Sequence, residues 1–160
     1  MVYVMQFYVD GACRGNGRPG SAAAAAACLF SRNGSYQSRV LRLRRNPAPT
    51  NQRAEICAII LALQWALEKH QTLSTSPYLD ITICSDSKYA VDSMTTWINN
   101  WIDKDWYNAA GRLVANHDLF QRALALENKL SRLGRVKYVW IPREENEEAD
   151  SACKEALDEL

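Results

Sequence analysis

The 160-residue chain has no CxxC pair, no apolar stretch of membrane length free of polar residues, no internal repeat and almost no net charge. Each absence closes off a class of function. The five cysteines, Cys13, Cys28, Cys57, Cys84 and Cys153, are odd in number and scattered, which argues against a zinc site or a disulfide framework. They read as small buried hydrophobes of a reducing compartment. A formal net charge of +1 gives no overall grip on nucleic acid, so any basic footprint has to be local. The N-terminus, MVYVMQFYVD, lacks the apolar core and small-residue cleavage site of a signal peptide. The expectation is an intracellular protein, away from membranes, whose residues 1–160 form one domain; cytoplasm, nucleus and mitochondrion are not distinguished. Apolar residues make up 48% of the chain, enough for one sizeable core.

What is present alternates between strand and helix signals. VYVMQFYVD is β-rich and ends at Asp10, before the glycine-studded loop GACRGNGRPG. SAAAAAACLF has helical propensity, yet it is short and bounded by Gly20 and the turn RNGS, so it is predicted as a strand. SYQSRVLRLRR is a third strand, basic on one side, and short turns between the three suggest an antiparallel meander. NPAPT then stops the sheet, with Thr50 as a candidate helix cap. NQRAEICAIILALQWALEKH is a helix apolar nearly all round, hence buried between layers. LDITIC is a strand, and a helical region begins at SDSKYAV. A further helix spans 118–133 and is expected to end at Gly134. VKYVWI is the last strand, and a final helix runs to Leu160. The order βββαβααβα predicts an α/β fold, a mixed sheet with helices on both faces.

Four carboxylates stand in unusual places. Asp10 and Asp86 each follow a predicted core strand, the edge where open α/β sheets bind ligands. Glu55 is the only charged side chain between Arg53 and Glu68 in the buried-looking helix. An isolated buried carboxylate is costly and needs a cation or a metal. Arg53 or Arg14 would be the plain partner. A strand-end aspartate alone reads equally as a turn residue. In PREENEEAD, residues 142–150, five carboxylates crowd a helix start, which by itself means dipole-stabilising surface acids. The helix stripe Ala149, Cys153, Ala156, Leu157 and Leu160 turns Glu147 and Glu148 outward and leaves Asp150 at its edge, able to reach the sheet. Asn146 is a candidate cap for this helix. Asp10, Glu55, Asp86 and Asp150 would make a hard oxygen set without His or Cys, suited to Mg²⁺ or Mn²⁺. Such sets hold two metals about 3.5–4 Å apart in phosphodiester hydrolysis.

With these residues aligned, the chain resembles the type 1 ribonuclease H family, which cuts the RNA strand of RNA/DNA hybrids. YVDGACRGNG, TNQRAEICAIILAL, SDSKYAV and NEEAD carry the resemblance, and it runs nearly the whole length. It implies the ribonuclease H-like fold, five strands with the first three antiparallel and helices on both faces. It implies catalysis and metal ligation by Asp10, Glu55, Asp86 and Asp150, with two Mg²⁺ ions or Mn²⁺ as substitute. It also implies substrate contacts. Cys13, Arg14, Gly15 and Asn16 match a loop beside the RNA strand. Asn51 and Gln52 match readers of the minor groove and 2′-hydroxyls, and an amide can donate and accept as a 2′-OH does. Thr50 and Asn116 match a DNA phosphate pocket. Tyr89 and Trp97 match aromatics along the DNA strand, and Lys88 joins the substrate-binding set. Core packing is the competing assignment for Trp97, Trp101 and Trp106. The implied partner is the hybrid alone, bound by a monomer with no obligate protein partner.

Three departures stand out. The loop before the last helix is short and has no histidine, where the family usually carries one; Glu144 or Glu145 would approach the metals instead. The segment IDKDWYNAAGRL balances Lys104 and Arg112 with Asp103 and Asp105, where relatives are often lysine-rich. Ala48 stands where some relatives place an arginine. Weak phosphate contact lowers affinity and flattens its salt dependence, so modest hybrid affinity is expected. The basic strand with Arg39, Arg42, Arg44 and Arg45 would supply some charge, or be a solvated sheet edge. Three other functions compete. One is a non-catalytic binding module. Another is a nuclease for double-stranded RNA or DNA junctions. The third is a small-molecule phosphatase.

Overall fold

A computed structural model describes residues 1–159. Its centre is a five-stranded mixed sheet in the order β3-β2-β1-β4-β5. β1 (Val2–Arg14), β2 (Ala22–Phe30) and β3 (Tyr36–Arg42) form the antiparallel meander. β4 (Tyr78–Ser85) and β5 (Gly134–Trp140) add on in parallel. The alanine run is a strand, as expected. It lies between two strands, where side chains of minimal volume let helices approach the sheet from both sides, and that context overrides helical propensity.

Helix α1 (Asn51–Thr72) packs on one face. Thr50 caps it, accepting a hydrogen bond from the Arg53 amide at 3.1 Å. Between this helix and the sheet lies the main core, built on Met5, Phe7, Val9, Ile56, Ile59, Leu63, Ile81 and Ile83. Before the next long helix come the short α2 (Lys88–Asp92), a π-helical turn (Ser93–Trp97) and α3 (Ile98–Asp103). α4 (His117–Ser131) then continues the α1 layer through Leu119, Phe120, Ala123 and Leu130. On the opposite face lies α5 (Glu147–Asp158), preceded by a 3₁₀ turn at Arg143–Glu145. Its stripe of Cys153, Ala156 and Leu157 meets Ala24 and Ala26 of β2 in a small second core. Leu160, the last residue of the expected stripe, lies outside the described residues.

Gly134 departs from expectation. It is not a helix terminator but the first residue of β5, paired with Leu79 of β4. A Cβ there would lie 2.0 Å from the Leu79 carbonyl oxygen, so close strand contact is what demands glycine.

Candidate active site

The acids converge because of sheet register. β1 and β4 run parallel with Val9 opposite Ser85. Asp10 and Asp86 each stand one residue further on, so the two carboxylates arrive side by side where the β1–β4 pairing stops. Asp86 follows the end of β4, but β1 continues along β2 to Arg14, so Asp10 lies within its strand and not at the end that the sequence suggested. Glu55 comes from the first turns of α1, where helix and strand nearly touch. A Cβ on Gly11 would sit 2.3 Å from the Ala54 carbonyl carbon. Only glycine allows that approach, which places Glu55 beside Asp10. Oxygens of Asp10, Glu55 and Asp86 lie within 4.8 Å of one another. Asp150, on the first turn of α5, lines the same cleft but is not part of that mutual set.

The electrostatics of the four differ sharply. Asp10 is only 5% exposed. Burial, then the neighbouring Asp86 and Asp150, push its carboxyl up to about 7. Burial, then Asp10 and Asp86, push Glu55 up to about 10, and its Oε2 has no partner. Asp86 is raised by burial, offset in part by Asn146 and Arg143. For Asp150 burial also acts upward, but Lys154, a hydrogen bond from the Asp10 carboxyl and then Arg143 outweigh it, and the carboxyl falls below its ordinary value. Lys154 Nζ lies 3.0 Å from Asp150, and Arg143 3.9 Å. Neither plain partner of Glu55 holds: Arg53 pairs with Asp118 at 2.7 Å, and Arg14 pairs with Asp158. Three crowded carboxylates, one with a buried unpartnered oxygen and none with an arginine or lysine in ion-pair contact, suit a hard divalent cation.

Asn146 does not cap α5 through its side chain. It is fully buried, donating from Nδ2 to the Val9 carbonyl at 2.8 Å and towards Asp86 Oδ2 at 3.4 Å. One amide thus ties β1, the β4 acid and the start of α5 together. Trp140 adds a second tie, its indole donating to the Asp86 carbonyl at 3.1 Å. The turn at 143–145 explains which side chain meets the cleft. With three residues per turn, its three side chains point in three directions. Arg143 lines the acid cleft, whereas Glu145 lines a separate hollow with Gln6, Tyr8, Phe30 and Glu148. The sequence pattern draws the eye to the two glutamates and away from the arginine between proline and acid.

The remaining candidates flank the cleft. Cys13 and Asn51 line it. The Cys13 thiol lies 3.4 Å from the Pro49 carbonyl, and Asn16 Oδ1 accepts the Asn51 amide at 2.7 Å. The β1–β2 loop, with Arg14, Gly15 and Asn16, is therefore fastened to the start of α1. Asn51 and Gln52 are exposed on its first turn. Gly15 takes φ +71°, a left-handed turn. Asn116, also left-handed at φ 63°, donates to the Tyr89 hydroxyl at 3.1 Å. Arg53 is an organiser that no local pattern reveals. It bonds Asn116 Oδ1 at 3.3 Å and forks onto Asp118, 65 positions away. Lys88 is exposed at the start of α2. Trp97 is 51% exposed, so it is not core, whereas Trp101 and Trp106 pack against the core. A larger hollow at the far end of the sheet, lined by Val2, Val4, Phe30 and Tyr36, contains no acid.

A carboxylate cluster where the parallel pairing of two central strands ends, flanked by helix N-termini, defines the class: an α/β enzyme working at its sheet edge. Comparison with known proteins gives the family. The RNase H family model matches residues 3–158. A ribonuclease H of Pelobacter propionicus is 34% identical over 98% of this chain and 86% of its own length. One from Alcanivorax borkumensis is 32% identical over 96% and 91%. Among solved structures, RNase H1 of Halobacterium salinarum superimposes with a TM-score of 0.69 at 26% identity, covering 99% of this chain and all of its own. LC11-RNase H1, solved with an RNA/DNA hybrid, shares the fold with a TM-score of 0.71 at 22% identity over 97% of each chain. The chain belongs to the ribonuclease H family of nucleases. Among the described residues, no helix is long and apolar enough to cross a membrane.

Proposed function

We propose that residues 1–160 act as one catalytic domain, a monomer working inside the cell. It is an endonuclease hydrolysing the RNA strand of RNA/DNA hybrids, with two Mg²⁺ ions, or Mn²⁺ in their place, held by Asp10, Glu55, Asp86 and Asp150. The observation that carries the reading is the trio of Asp10, Glu55 and Asp86, one buried and two part-buried and none in an ion pair with arginine or lysine, at an open cleft of a ribonuclease H fold. When bound, the ions would supply an acidified water for attack and neutralise charge at the phosphodiester. The chain's own residues do the rest. Asn51 and Gln52 offer exposed amides, able to donate and accept, beside the acids. That suits a 2′-hydroxyl and favours RNA on this side of the cleft. Asn16, held by the Asn51 backbone, stiffens that wall. Thr50 and Asn116, the latter braced by Arg53 and Tyr89, receive a backbone phosphate. Trp97 presents a half-exposed ring to the DNA strand, and Lys88, exposed at the start of α2, offers a cation. Arg143 and Lys154 keep Asp150 ionised and aimed at the cleft.

The test is cleavage of a labelled RNA/DNA hybrid in Mg²⁺ or Mn²⁺, against single-stranded RNA, double-stranded RNA and double-stranded DNA, beside Asp10→Asn. The expected result is cutting of the hybrid alone, lost in the variant. Hybrid binding without cutting in either metal would make the protein a binding module. Equal cutting of double-stranded RNA would move it to another substrate class.

A further inference from the structure

Charge is distributed very unevenly along this chain. Between Asp10 and Glu55 there is no acid and no lysine, yet there are eight arginines. The rest of the chain carries a net charge of −7 against a total of +1. In the fold, acids from elsewhere answer half of these arginines. Arg14 pairs with Asp158, Arg39 with Glu68, Arg42 with Glu159 and Arg53 with Asp118. Arg18, Arg32, Arg44 and Arg45 have no ion pair and no side-chain hydrogen bond among the described residues, and all four are exposed. The basic strand itself is thus largely neutralised. What remains positive lies in the loops.

Three of the four free arginines sit on segments at one end of the sheet. Arg18 sits in the β1–β2 loop, and Arg44 and Arg45 sit between β3 and α1. This end is tied together by backbone bonds, Leu43 to Ala23 at 3.0 Å and Gly17 to Pro49 at 2.9 Å. It adjoins the acid cleft through Cys13 and Asn51, which line it. Arg32 lies at the opposite end, in the β2–β3 turn, since Phe30 pairs with Gln6 while Ala22 pairs with Arg14. The exclusive use of arginine matters, because its planar fork fits a phosphate with two hydrogen bonds where lysine offers a point charge.

We infer that Arg18, Arg44 and Arg45 form a duplex-backbone clamp next to the active-site cleft. It takes phosphodiester groups of the bound nucleic acid and replaces the cationic grip that the Lys104–Arg112 segment lacks. The inference rests on the substrate reading above. Salt-dependent binding of a fluorescent RNA/DNA hybrid tests it, with Asp10→Asn as the non-cutting parent. Removing one arginine–phosphate pair should flatten the slope of log affinity on log salt by about 0.9. Arg18→Gln and the double variant Arg44→Gln/Arg45→Gln should each flatten it. The lysine versions should restore most of the slope, showing that charge rather than folding was the cause. Arg32→Gln, the same charge change at the wrong end, should leave it alone. An unchanged slope in the loop variants, or equal flattening by Arg32→Gln, overturns the clamp while leaving the enzyme intact. A parent that binds no hybrid would overturn the proposed function itself, and the clamp with it.

Discussion

The two faces of the sheet deliver acids to the same cleft by different physical means. On the α1 face the core is deep and filled by large side chains, and Glu55 is driven into it with an unpartnered oxygen. On the α5 face the layer is thin, made of Ala24, Ala26, Cys153, Ala156 and Leu157, and Asp150 is held by Lys154 and Arg143 near solvent. One acid is fixed by packing and made costly to ionise. The other is fixed by ion pairs and ionises easily. A buried carboxylate gives position at the expense of stability, whereas a paired one gives charge with looser position.

The contrast can be broken by substitution. Glu55→Gln has the largest expected effect: hybrid cleavage drops by more than about a hundredfold, beyond the 10–100-fold typical of residues that only orient ligands. In metal-free buffer at pH 8 its melting temperature should not fall. A loss of stability equal to that of a core deletion would mean that Glu55 is structural. Asn146→Ala comes next. It leaves the Val9 carbonyl without its partner and frees Asp86, for a cost of about 1–3 kcal/mol and about 10–100-fold in cleavage. Urea melts and initial rates measure both, and the rate loss should persist where the variant is still fully folded.

Linkage makes the third prediction. The Asp10 carboxyl is raised to about 7 in the fold, above its unfolded value. The folded state therefore holds the proton more tightly, and stability of the metal-free protein declines as pH rises between about 4 and about 7. Asp10→Asn removes the Asp10 share of that decline and leaves the share of Glu55, so it should exceed the parent by about 1–3 kcal/mol at pH 8 and match it near pH 4. Divalent metal should narrow the gap by stabilising the parent alone. The smallest effect belongs to Lys154→Gln. The lysine end of its ion pair is exposed to solvent, so stability should change by no more than about 0.5 kcal/mol. A much larger loss would show that the thin face is held by charge rather than by its alanines.

Much of this site is legible in the sequence for local reasons. Asp10 and Asp86 declare themselves because each ends an apolar run, and Glu55 because nothing charged surrounds it. Asp150 follows from counting around a helix. The alanine strand is legible only through its flanking turns, since its own propensity points elsewhere. What escapes is contact between distant elements. Arg53 braces Asn116 and Asp118, Asn146 reaches the β1 backbone, and Gly134 opens a strand instead of closing a helix. Arg143 is hidden because a 3₁₀ turn, and not its sequence neighbours, decides which of three residues faces the acids.

β3 carries one more consequence. It is an open edge of the sheet, exposed along all seven residues, with Val40 and Leu41 uncovered. A bare edge of that kind is a template on which a second chain can add its own strand. Arg39 and Arg42 stand on it, on opposite faces, paired with Glu68 and Glu159. Long charged side chains on either face of an edge strand are among the features that blunt it against an added strand. The same arginines whose charge is answered within the fold thus also make this edge a poorer template for a second strand.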